Sequence, residues 1–177
     1  MKKIFIPGVL LLLFACTDLH KGEYLDDIEK LETVLTEIED QTEEIDTLAL
    51  QEMFEVYTVV NDQVKQIKDT LDLETALILD SYLKAMRKID CVRIDLVVVK
   101  DNVEMEKATL GKLREDIQNA YGRRNKYNDY IKSEELRVDS INNIFNDVQT
   151  DYAMITEVFN ENNAELRNRL NTFTLSE

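Results

Sequence analysis

The fold is decided by residues 78–173, a stretch that begins ILDSYLKAMRKIDCVRIDLVVVKDNVEMEKATLGKLREDI. Apolar side chains return in it at alternating steps of three and four residues, and the phase does not change along its whole length. One column passes through Ile89, Leu96, Val103 and Leu110, which is the heptad pattern of helices packed along a seam. The pattern predicts an all-α protein.

Three positions divide the chain into helices. The same apolar spacing fills residues 23–71, where a shift of one position near Thr47 predicts a kink or a short break in one bent helix. A second phase change falls at Asp72, whose side chain can cap a new helix, and Gly122 offers a left-handed cap at a helix end. We therefore expect one helical domain over residues 23–177, with helices at about 23–71, 73–121 and 124–173.

The matched lengths of these helices favour an antiparallel three-helix coiled-coil bundle, since each piece of about fifty residues would be roughly 75 Å long. Charge placement favours the same arrangement, because cations beside the seam of the second helix come opposite acids of the first. The expected pairs are Arg93 with Glu52, Lys100 with Glu44, Lys107 with Glu37, and Arg114 with Glu32.

Two alternatives stay open. The heptad register passes through Gly122 unbroken, so residues 75–173 could form one long extended helix in an oligomeric, parallel coiled coil. In addition, Val92, Ile94, Leu96 and Val98 alternate as the residues of a strand would. The longer heptad pattern on both sides favours a helix there.

Composition and motifs argue against several functions. A formal net charge of −15 would repel nucleic acid, which needs a basic face. The sequence holds no P-loop, G-x-S-x-G, H-E-x-x-H, paired-cysteine or EF-hand pattern, and a helical rod offers little concavity for catalysis. We expect no enzyme activity, no cofactor and no metal ion.

The N-terminus has the features of an export signal. Lys2 and Lys3 precede an apolar run over residues 4–15 that is too short to span a bilayer, which predicts a signal peptide over residues 1–15. The sequence Leu13-Phe14-Ala15-Cys16 resembles the lipobox of bacterial lipoproteins. An ordinary secretory signal with an incidental Cys16 is the alternative interpretation.

The resemblance to the lipobox implies an anchored protein. In that family, signal peptidase II cleaves before the cysteine and a diacylglycerol is attached to its thiol, so Cys16 would carry the lipid, including palmitate. Residues 16–22 would then be the lipidated cysteine and its tether. Thr17 in place of Asp implies the outer membrane in a diderm cell envelope, with the membrane face left open.

Cys91 is the only thiol that remains after lipidation, and its heptad position points away from the seam. In an oxidising compartment, an exposed odd cysteine can form an intermolecular disulfide. An incidental thiol is the other interpretation.

A basic turn, residues 121–132, interrupts the acidic chain. We predict that it contacts lipid headgroups through Arg123, Arg124, Lys126, Tyr127 and Tyr130, because basic and tyrosyl side chains suit the membrane surface. The alternative is a solvated turn whose tyrosines pack inward.

An apolar tip, formed by Leu73, Leu77 and Leu79, is expected at the opposite end of the bundle. Such a cluster suits a protein partner, or else it closes the end of the core.

Taken together, the sequence predicts a membrane-anchored lipoprotein with an acidic helical rod that has a structural or protein-interaction role in the cell envelope. One alternative is a module that binds a specific protein partner or the cell wall. Another is a homo-oligomeric coiled-coil spacer.

Overall fold

The structure is a computed structural model that describes residues 20–67 and 70–174, with side chains up to residue 172. Within these ranges the chain forms five α-helices and no strand, which confirms the all-α prediction. Residues 92–99 belong to a helix, so the strand alternative is wrong. The helices are α1 (Lys21–Glu43), α2 (Thr47–Gln66), α3 (Leu73–Met86), α4 (Ile89–Asn119) and α5 (Tyr127–Thr174).

The first predicted helix, over residues 23–71, is divided into α1 and α2 at the predicted phase shift. Asp46 lies between them in an extended conformation, and its Oδ1 accepts hydrogen bonds from the backbone N–H groups of Leu48 at 3.0 Å and Ala49 at 2.9 Å. Asp46 is therefore the N-cap of a new helix. The prediction of a short break is confirmed, whereas the prediction of one bent helix reaching residue 71 is wrong.

The second predicted helix, over residues 73–121, is divided into α3 and α4. As predicted, Asp72 caps α3, because its Oδ1 accepts the backbone N–H of Thr75 at 2.9 Å. The division falls at Arg87 and Lys88, where the backbone keeps right-handed angles. The heptad register survives this tightened turn, and for that reason the sequence carries no sign of it.

A left-handed turn ends α4. Ala120 has φ 57°, and the N–H of Tyr121 donates to the carbonyl oxygen of Asp116 at 2.8 Å, as in a Schellman motif. Gly122, which was predicted to form the left-handed cap, also has positive φ, but the residue that caps α4 is Ala120, two positions earlier. One 3-10 turn over Arg124–Lys126 then leads into α5. A single helix over residues 75–173 is therefore wrong.

The helices pack along the predicted seam. α4 contacts α1 and α5, α3 contacts α5, and α2 lies against α3, α4 and α5. Each fully buried Leu, Ile, Val or Phe stabilises the fold by about 1.5–3 kcal/mol, so the seam dominates the stability. On α4 the buried column is Ile89, Leu96, Val103, Leu110 and Ile117, and on α5 it includes Val138, Phe145 and Leu166.

Charged pairs join α4 to α1, with one predicted partner changed. Arg114 forms an ion pair with Glu32, as expected, but Lys107 pairs with Glu39 and not with Glu37. The two observed pairs are seven residues apart on both helices, a repeat that Glu37 does not meet.

The other two predicted pairs do not form. Arg93 lies over the ring of Phe54, 5.7 Å from its centroid, and 3.7 Å from Asp90, instead of meeting Glu52. Lys100 lines a groove with Glu39 and Glu43 instead of pairing with Glu44.

Candidate functional site

The basic turn lies beside the start of α1. The Nζ of Lys21 donates to the carbonyl oxygen of Gln118 at 2.7 Å, and the ring of Tyr24 meets the ring of Tyr127 edge-on at 6.1 Å. Residue 20, where the described chain begins, is therefore at the same end of the molecule as the turn. Cys16, the signal peptide over residues 1–15 and the tether up to residue 19 lie outside the described residues.

Tyr127 holds the turn together and does not face solvent. Its side chain is 2% exposed, and its hydroxyl donates to the carbonyl oxygen of Asp116 at 3.1 Å while also contacting the carbonyl oxygen of Tyr121. Buried tyrosines need such a partner for the hydroxyl. The prediction that Tyr127 contacts headgroups is wrong, because the first turn of α5 directs this ring into the core.

The other residues of the predicted headgroup contact are at the surface. Arg123, Arg124, Lys126 and Tyr130 are exposed. The Nζ of Lys126 lies 2.7 Å from Oδ2 of Asp129, and this hydrogen-bonded pair raises the pKa of Lys126. Arg123 and Arg124 therefore carry accessible positive charge that Asp129 does not neutralise.

The apolar tip consists of two exposed leucines. Leu73 is 75% exposed and Leu77 is 62% exposed, and their spacing of four residues puts them on one side of α3. Leu79, two positions further, points to the other side and is only 7% exposed. The prediction is wrong for Leu79, which helps to close the end of the core.

The start of α3 is fixed to the end of α5. Arg169 of α5 lies 3.0 Å from a carboxylate oxygen of Glu74 and 2.6 Å from one of Glu165. The backbone N–H of Thr75 lowers the pKa of the capping Asp72 carboxyl. These contacts hold Leu73 and Leu77 on a defined helix end.

Cys91 is an exposed free thiol on the outer side of α4, as its heptad position predicts. Ile94 and Val98, three and seven residues further along, are exposed on the same side. The thiol is accessible, and the intermolecular disulfide stays a prediction.

Two acidic residues that the sequence did not indicate as a site are buried in the core. Glu106 on α4 is 6% exposed and Glu134 on α5 is 8% exposed, and Arg137 donates to Oε2 of Glu134 at 3.0 Å. The two glutamates are hereafter the acid pair. A usable signal existed, since both glutamates occupy a heptad column whose other members are mostly apolar.

The described residues offer few other kinds of site. No three His, Cys, Asp or Glu side chains converge there as metal ligands would. Among the described helices, none has both the length and the apolar composition to cross a membrane. No family model, curated protein or solved structure matches the chain.

Proposed function

We propose that this protein is a lipid-anchored lipoprotein of the bacterial cell envelope, in which an acidic helical rod has a structural or protein-interaction role. The observation that carries the proposal is the contact between the start of α1 and the basic turn, through Lys21 with Gln118 and Tyr24 with Tyr127. Cys16 precedes this end of the rod by only a few residues in the sequence, so a lipid on Cys16 would hold this end near the membrane.

We further propose that the rod is an antiparallel bundle of three helical segments. The first segment is α1 followed by α2, the second is α3 followed by α4, and the third is α5. From Lys107 to Arg114 along α4, the ion-pair partners on α1 move backwards in the chain, from Glu39 to Glu32. Antiparallel helices require this order. The 48 residues of α5 would make this rod about 70 Å long.

Contacts of α5 support the same arrangement. Glu74, near the start of α3, pairs with Arg169 of α5, and Lys88, just before α4, pairs with the earlier residue Asp151. This order is expected when the second and third segments run in opposite directions. Between the first and third segments, contacting residues advance together along both segments, from Gln41 with Gln149 to Asp46 with Tyr152. This order favours parallel packing of these two segments.

Lipid attachment is tested by metabolic labelling with palmitate in a bacterial host. Wild-type protein should become labelled, whereas the Cys16→Ser variant should not. A Cys91→Ser variant is the matched control and should be labelled like the wild type. Equal labelling of the Cys16→Ser variant would reject the anchor.

The basic turn should rest on anionic headgroups, because it combines Arg123 and Arg124 with the exposed ring of Tyr130. We expect that changing both arginines to Ser weakens binding of the unlipidated protein to vesicles containing phosphatidylglycerol. The control changes Arg87 and Arg167, two exposed arginines elsewhere, to Ser. Equal loss in both double variants would mean that net charge alone governs binding.

The tip made by Leu73 and Leu77 favours a role in binding a protein partner. In pull-downs from solubilised envelopes, a specific partner should be retained by the wild type and lost with Leu77→Asp. Leu136→Asp is the matched control, since Leu136 is a similarly exposed leucine on α5. Retention by all three proteins, or loss with both variants, would argue for a rod without a specific partner at the tip.

A further inference from the structure

The acid pair interrupts an otherwise apolar seam between α4 and α5. Seven residues from Glu106, the same column holds the buried Val99 and Leu113. Seven residues from Glu134, it holds the buried Tyr127 and Ile141. Two carboxyl groups thus take positions at which the rest of the seam packs apolar side chains.

The geometry of the acid pair accommodates one negative charge but not two. Glu106 lines the same groove as Arg137, and Arg137 donates to Oε2 of Glu134, so the two carboxyl groups lie close together between α4 and α5. When two carboxyl groups share a site in this way, ionisation of the first disfavours ionisation of the second. Oε1 of Glu106 is buried and has no hydrogen-bond partner among the described residues, so ionisation of Glu106 would place negative charge beside an oxygen that no donor satisfies. Arg137 balances the single charge on Glu134.

The charged groups around Glu106 do not supply a second cation that would balance its negative charge. On α5, Glu134 and Arg137 face Glu106. On α1, Glu39 and Glu32 face this stretch of α4 and are paired with Lys107 and Arg114. Glu43 of α1 lies in a groove beside Lys100. Burial and the proximity of Glu134 raise the pKa of Glu106 to about 7, while Arg137 opposes this rise.

We propose that the acid pair is a proton-dependent clasp between α4 and α5. While the two carboxyl groups share one proton, they stay together in the core and the helices remain tightly packed. When that proton passes to water, two carboxylates face each other, and the contact between α4 and α5 loosens around them. An open groove of about 430 Å³, lined by Glu106, Met105 and Arg137, gives water a route to Glu106.

The clasp is tested first on the wild-type protein. Carbon-13 NMR of the glutamate carboxyl groups should show Glu106 titrating near neutral pH. Amide hydrogen exchange over residues 102–110 and 131–138, corrected for the intrinsic effect of pH, should reveal on the order of tenfold more opening at pH 8.5 than at pH 5.5. A Glu106 titration in the ordinary carboxyl range would overturn the proposal.

Variants then assign the effect to the acid pair. Glu106→Gln keeps the shape of the side chain and removes its charge, so the extra opening at pH 8.5 should disappear. Glu104→Gln, an exposed acid on the same helix, should behave as the wild type. If wild type and Glu106→Gln loosen equally with rising pH, the opening belongs to other groups and the clasp is refuted.

Discussion

On the side of α4 that meets α1, opposite charges pair at the edge of the contact, whereas on the side that meets α5, two acidic side chains lie inside it. Arg114 and Lys107 reach across to Glu32 and Glu39 with both partners partly exposed. Exposed pairs contribute at most about 1 kcal/mol each, so they select the partner more than they stabilise it. The acid pair instead makes the packing of one interface depend on pH.

The largest predicted effect concerns the free energy of unfolding at different pH values. Because the folded pKa of Glu106, about 7, lies above its ordinary value of 4.5, protonation favours the folded state. This contribution is fully present below about pH 4.5 and is lost as the pH rises through 7. Urea unfolding should show that, between pH 5 and pH 8.5, wild type loses up to about 2.5 kcal/mol relative to Glu106→Gln.

The comparison with Glu106→Gln isolates this one group from the many other carboxylates of the chain. Glu104→Gln should keep the wild-type dependence on pH, since its side chain is exposed. A wild-type pH profile in Glu106→Gln would show that the interface with α5 is no more sensitive to pH than the interface with α1.

A smaller effect is predicted at the turn that brings α5 back against α4. Ala120 holds a left-handed conformation with φ 57°, which costs a residue with a Cβ about 1 kcal/mol. Ala120→Gly should therefore raise the free energy of unfolding by about 1 kcal/mol, measured as a higher Tm.

Gly122 provides the reciprocal control for this turn. Its φ is 72° and nothing lies within 4 Å of an added Cβ, so Gly122→Ala tests backbone conformation alone. It should lower the Tm. If Ala120→Gly also lowers the Tm, the end of α4 is not strained as described.

The smallest effect belongs to the interface with α1. A double-mutant cycle of Arg114→Ala and Glu32→Ala should give a coupling energy of about 0.5–1 kcal/mol, because the pair is partly exposed. The coupling should shrink in 1 M salt, where charges are screened within about 3 Å. A coupling that salt leaves unchanged would indicate packing between these side chains instead of charge attraction.

The sequence predicted the helical class and the start of α3, because heptad spacing and capping by Asp72 are local signals. The break beside Thr47 was visible as a phase shift. The division at Arg87 was not, since a tightened turn there preserves the heptad register. Ala120 could not have been chosen over Gly122, because the composition of that turn favours glycine for the left-handed conformation.

The candidate sites were harder to predict than the helices. Tyr127 lies in the apolar heptad column that also holds Ile141, so the sequence itself indicated its burial. Leu79 belongs to a cluster of leucines, and only the packing of whole helices decides which of them turn inward.

Charge pairing was predicted correctly for Arg114 and within one turn for Lys107, which meets Glu39 in place of Glu37. The pairs predicted for the other two cations do not form. The acid pair depends on two residues far apart in the chain, which a single helix pattern does not bring together.

The arrangement of the helices is tested most directly by a distance between spin labels on Glu23→Cys and Asn125→Cys, in a background with Cys16→Ser and Cys91→Ser. Double electron–electron resonance should give a short distance, near the packed-helix spacing of about 8–10 Å plus the two label tethers. An extended chain would separate residues 73 and 125 alone by roughly 75 Å. A long distance of that order, or one that appears only between two chains, would contradict the proposed rod.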